Sequence, residues 1–232
     1  MAPLPYPTRF FTGITVCAAL LSACSPDKPE TPAPLRFDPI SIEVELAGTS
    51  QPEFVATHLE DRLSHGAVRQ IESVMVIRST TAELTTDDAS WTGCITDISV
   101  PTARHFGDDG TSGLDELTSL TGSDRLAITQ PIADELHLHP SSSVKVSVPG
   151  IAATQFTVDR IVGVGTVTSH CPVVASEGFL APVSAASTKL WIQLGKSTRS
   201  DAQQRREAID GIDQQAKRLG ISGIRSLDVA GG

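Results

Sequence analysis

Residues 40–46, Ile-Ser-Ile-Glu-Val-Glu-Leu, alternate apolar and polar side chains, the two-residue period of a strand with one buried face. Gly48-Thr49-Ser50 predicts a turn, and Ser50 with Glu53 has capping-box spacing, with Pro52 in the tolerated first helical turn. Val55, Leu59 and Leu63 recur every fourth residue, an apolar helix stripe that Gly66 ends. Ser73 to Ser79, with the run Val74-Met75-Val76-Ile77, predicts the next strand. The order is strand, helix, strand.

The same plan returns near the C-terminus. Leu190 to Leu194 predicts a strand, Gly195-Lys196-Ser197-Thr198 a turn, and Ser200 caps a helix. Ala202, Ile209, Ile212, Ala216 and Leu219 fall on one face of that helix, Gly220 ends it, and Ile221 to Val229 supplies a further strand. Between the two units the texture changes. Leu126-Ala127-Ile128-Thr129 predicts a strand, Gln130-Pro131-Ile132 opens a short helix through Leu136, and Val144 to Val148 alternates. Pro149-Gly150 turns the chain, and Gln155 to Asp159 with Ile161 to Val167 continue as a β meander. Residues 102–123, rich in Gly, Asp, Ser and Thr, predict a loop.

Two βαβ units usually pair into one split sheet with both helices on one face. The expected fold is therefore α+β: a split βαβ…βαβ platform of the porter or ferredoxin-like kind (residues 38–80 and 188–230), interrupted by a β-rich lobe (81–187).

The N-terminus has a different character. Arg9 precedes an apolar run from Phe10 to Leu21, twelve residues long, where a membrane span needs about 20. Leu21-Ser22-Ala23-Cys24 follows, small residues ahead of a cysteine, and this resembles a bacterial lipobox. Residues 1–23 are expected to be a lipoprotein signal peptide and Cys24 the lipid attachment site, carrying acyl chains such as palmitate. The competing reading is an uncleaved anchor helix in which Cys24 is unmodified. Residues 24–37 hold four prolines between Pro26 and Pro34 and read as an extended tether. The body, 38–232, would then hang on the outer face of the cell membrane by its lipid. Two or more acyl chains hold a protein stably, at about 0.8 kcal/mol per buried methylene.

The formal net charge is −9, and loss of Arg9 with the signal makes the mature chain one unit more acidic. That excludes nucleic acid as an expected partner, since phosphate contacts need clustered Lys and Arg. It also removes polybasic attraction to anionic lipid heads.

The passage Leu126 to Leu138, with Ser143-Val144-Lys145-Val146 and Val158-Asp159-Arg160-Ile161-Val162-Gly163-Val164, resembles a recurrent stretch of one transporter family. The family is the MacB/FtsX-like ABC transporter permeases, and the matching part is their extracytoplasmic (periplasmic core) domain. The resemblance implies a porter-like βαβ platform carrying a β-rich lobe. It also implies a permease or other envelope protein as partner. In the family this domain lies between the first and second transmembrane helices. Here the lipid on Cys24 would replace the first helix, in either a detached cousin of the domain or a truncated permease product.

Of the four cysteines, Cys94 and Cys171 remain after Cys17 and Cys24, and in an exported domain they are expected to form a disulfide across 77 residues. Two separate buried thiols are the alternative. His137 and His139 stand two apart, but metal sites use three or four ligands and none follows nearby. Asp108-Asp109-Gly110 with Asp115-Glu116 lacks the alternating oxygens of a calcium loop. Ser169-His170-Cys171 has no nucleophile elbow, and Gly163-Val164-Gly165 opens no helix. Asp210, Asp213 and Lys217 are expected on the exposed face of the last helix. No metal, cofactor or catalytic residue is expected. The expected function is a non-enzymatic binding or scaffold domain of an ABC-type export or envelope-remodelling system. The alternative is a lipoprotein holding a small molecule or lipid in a pocket between platform and lobe.

Overall fold

The structure, a computed structural model, describes residues 42–46, 51–64, 71–99, 120, 122–164, 171–221 and 227–228. The signal segment, Cys24, the tether, Ser50, Gly66, most of the 102–123 loop and Ser169-His170 lie outside the described residues.

Strand β1 (Ile42–Leu46) is followed by α1 (Pro52–Ser64) and the long β2 (Ile71–Thr85). Later come β8 (Ser187–Leu194), a short α3 (Lys196–Ser200), α4 (Ala202–Arg218) and β9 (Leu227–Asp228). β8 lies between β1 and β2, antiparallel to both, and β1 lies between β8 and β9. Alternate residues of these strands (Ile42, Val44, Val74, Val76, Leu190, Ile192) pack against Val55 and Leu59 of α1 and Ala208, Ile212 and Ala216 of α4. The four-residue spacing on each helix puts its stripe on this one face. On the opposite sheet face Met75, Ile77, Trp191 and Gln193 are buried as well. On it, Glu43 accepts hydrogen bonds from Trp191 Nε1 (2.9 Å) and Lys189 Nζ (2.6 Å).

The second half of β2 belongs to another body. It pairs with β3 (Ser90–Ser99) on one side and β5 (Ser143–Ser147) on the other. From β3 the order continues through β7 (Val173–Ala175), β4 (Arg125–Thr129) and β6 (Thr154–Val162) to β5. The β2–β3 pairing closes these six strands into a ring with no open edge. Its interior is a second core, including Leu84, Ile95, Leu126, Val144, Val158 and Phe156, whose ring meets Phe179 edge-on at 4.7 Å. Helix α2 (Gln130–Glu135) contributes Ile132 and Ala133, and the turn after it Leu136 and Leu138. The fold is thus mixed α+β and rich in sheet.

Several expectations are corrected. The second strand does not stop at Ser79; it runs to Thr85, because Ala82 and Leu84 resume the alternation after Arg78 and Thr80. β3 went unpredicted, since its inward positions include Gly93 and Asp97. The two meander strands expected over Gln155–Asp159 and Ile161–Val167 are one strand, β6, which pairs antiparallel with β5 as a hairpin but parallel with β4, and β3 and β7 are parallel neighbours too. Lys196–Ser200 is helical instead of a turn. The cap of α4 is Asp201, whose Oδ1 accepts from the backbone N–H of Gln203 (2.8 Å) and Gln204 (3.0 Å), and not Ser200. Ala202 is exposed, outside the apolar stripe.

Candidate functional site

The even-numbered positions of β2 run from one core to the other along a single face. Val74 and Val76 face the helices, and Ala82 and Leu84 face the ring interior. Between them stands Arg78, and its register partner on β3 is Asp97. Both are buried, Asp97 completely. A charged pair here sits at the seam between two dry cores, where desolvation is costly and every hydrogen bond counts.

Arg78 Nη2 forms an ion pair with Glu53, in the first turn of α1, so the side chain expected to complete a capping box reaches across to β2 instead. Arg78 Nη1 lies 3.5 Å from Asp97 Oδ1, without hydrogen-bond geometry. Asp97 Oδ2 accepts the backbone N–H of Leu180 at 2.7 Å. Thr96 Oγ1 donates to the Arg78 carbonyl at 2.7 Å, and Ser99 Oγ donates to Glu177 at 2.9 Å. Burial pushes the Asp97 carboxyl up to about 6, outweighing the Leu180 N–H and the Arg78 charge, which pull it down. One cation stands between two carboxylates, so the trio carries one negative charge with Asp97 ionised and none with Asp97 protonated. Chemically, the site can take up one proton and can fix α1, β2, β3 and the 176–186 turns against each other. Sequence reading missed it, because Arg78 and Asp97 are 19 positions apart with no motif linking them. A charged residue at the inward parity of each strand was the available signal.

The expected pair Cys94 and Cys171 is joined by a disulfide, with Cα atoms 4.8 Å apart. It staples β3 to the segment entering β7, directly ahead of the parallel pairing of Ile95 with Val173.

His137 and His139 are both exposed, and among the described residues no group of three or more His, Cys, Asp and Glu could hold a metal ion. His137 has a structural position: with φ of 54° it ends α2 in the left-handed conformation, and Leu138 N–H returns to the Ala133 carbonyl at 2.8 Å. The acidic stretch 108–116 and His170 lie outside the described residues. Asp210 and Lys217 are exposed, and Lys217 pairs with Asp213.

A depression of about 540 Å³ opens beside the β2–β3 turn, lined by Thr85 to Asp88, Leu136 to Leu138, Ser142, Ser143, Lys145 and Gln155. It lies within the ring of strands and its turns, and Leu136 and Leu138 are its apolar residues. No described helix is long and apolar enough to cross a membrane.

No protein-family model and no curated protein matches this sequence. Solved structures do. The periplasmic region of MacB from Actinobacillus actinomycetemcomitans superposes with a TM-score of 0.51 at 11% identity, covering 81% of this chain and 88% of that one. The extracellular domain of the noncanonical ABC-type transporter YknZ from Gram-positive bacteria gives 0.50 at 11%, covering 80% and 99%. A domain of a permease protein from Porphyromonas gingivalis gives 0.50 at 9%, covering 81% and 88%. At such identities the likeness is one of fold. This chain has the mixed α+β fold of the extracytoplasmic domains of MacB- and YknZ-like ABC transporter permeases.

Proposed function

We propose that this chain is an extracytoplasmic binding or scaffold domain that works beside an ABC-type export or envelope-remodelling permease, held at the membrane by lipid on Cys24. The fold likeness carries the reading, for the three similar structures named above are such domains or parts of permeases. On it, the four strands β9-β1-β8-β2 are the split βαβ platform, and the closed ring is the inserted lobe. The role is one of binding or scaffolding, not catalysis. The rival reading, a small molecule or lipid held in a pocket between platform and lobe, draws no support from the depression described above, which lies within the ring and is largely polar. The test is in-cell crosslinking from the lobe surface, for example with a photo-crosslinking residue at Asp87 or His139, followed by mass spectrometry of membrane extracts. Recovery of a permease supports the proposal. Crosslinks to lipid alone, or to no envelope protein, overturn it.

A further inference from the structure

Resting on the reading of a partner-binding domain, we infer that the depression beside the β2–β3 turn is the docking site, and that it receives a loop of the partner protein carrying both a basic and an acidic side chain.

Three segments build it. The turn between β2 and β3 brings Asp87 and Asp88, the turn after α2 brings His137, and β5 brings Lys145, the register partner of Thr85. Leu136 and Leu138 root the second of these turns in the ring core. Its shape is held at two strained positions, His137 (φ 54°) and Ser141 (φ 73°), and by Ser142 Oγ, which accepts the N–H of His139 at 2.9 Å. The wall is therefore fixed by its own packing and hydrogen bonds.

The charges decide the occupant. Asp87, Asp88, His137 and Lys145 are all exposed, and none of their side chains has an ion pair or hydrogen bond among the described residues. Elsewhere on the ring, Arg125 and Arg160 both meet Asp159. Two carboxylates and an ammonium thus share one depression while standing too far apart for an ion pair, and each can take a counter-charge from outside. A pure anion would meet Asp87 and Asp88, a bare cation would meet Lys145, and an apolar ligand would find only two leucines. A ligand with both signs complements the whole lining.

The openness of the site favours a loop over a free molecule. Pockets for small ligands bury about 70–90% of the ligand surface, and this lining is mostly exposed. A loop is held in place by the rest of its own protein and needs only the pairing. Strand addition is closed to the partner here, because the ring has no open edge. Side-chain pairing is the mode that remains.

The test follows the permease crosslink from a photo-crosslinking residue replacing His139, two positions beyond His137 and outside the charged lining. Yield is expected to fall about fivefold or more in the double variant Asp87→Lys, Asp88→Lys and in Lys145→Glu, since reversed charges at a docking rim slow association. Asp210→Lys, on the exposed face of α4, is expected to leave the yield unchanged. All four substituted side chains are exposed, and unaltered thermal melts check that the variants fold. The crosslinked segment of the permease is expected to carry a Lys or Arg together with an Asp or Glu. Undiminished yield in both lobe variants, an equal loss in Asp210→Lys, or a crosslinked segment lacking either sign overturns the docking site alone. Crosslinks from the wild type to lipid alone, or to no envelope protein, overturn the underlying reading and the docking site with it.

Discussion

Arg78 and Asp97 are partners across β2 and β3, both buried where the helix-backed core meets the ring interior. Removing the cation leaves a buried carboxylate next to Glu53 without compensation. Arg78→Met is therefore expected to cost about 3–5 kcal/mol at pH 8. The cost shrinks towards pH 5, because Asp97, already raised to about 6, is pushed higher and neutralises. Urea denaturation at the two pH values checks this.

The sign for the wild type follows from the same group. A carboxyl raised from 3.8 to about 6 on folding favours the native state when protonated. Its ionisation costs nothing below about pH 4, grows through pH 4–6 and is complete above 6, on the order of 3 kcal/mol. Asp97→Asn should gain on the wild type over that window and hold a constant difference above it, as read from denaturation midpoints.

The Cys94–Cys171 link closes a 77-residue loop, for which the chain-entropy model gives about 4–5 kcal/mol. Cys94→Ser or Cys171→Ser is expected to lower stability by about 2–5 kcal/mol. Reductant should destabilise the wild type and leave either variant unchanged.

Two helix ends give sharper contrasts. Asp201→Ala removes the acceptor for two N–H groups of α4 and should cost about 1 kcal/mol, while Ser200→Ala stays within about 0.5. His137→Gly places the residue that tolerates a positive φ where His137 now bears it, and should stabilise by about 1 kcal/mol. Thermal or urea melts of the three variants check these.

Where one periodicity dominates, the fold was legible. The alternation at 42–46 gave β1, Val55 and Leu59 gave the face of α1, and Pro131 placed α2. The two cysteines announced their bond. Legibility failed where an inward position is not apolar. Arg78 and Thr80 interrupt β2, and Gly93 and Asp97 conceal β3; Trp91 covers Gly93 so closely that a Cβ there would collide with its ring. Pairing order failed too, since Val173–Ala175 is three buried residues with nothing to tell a parallel neighbour from an antiparallel one. The seam needed both failures repaired, because it exists only once β2 and β3 are paired.

A covalent tether outside the cytoplasm underlies the proposed role, and the intact mass of membrane-extracted protein tests it most directly. A mature chain starting at Cys24 with a diacylglyceryl group on its sulfur is expected, as is release from the membrane in Cys24→Ala. A full-length chain beginning at Met1, unmodified and recovered from the cytosol, would contradict it.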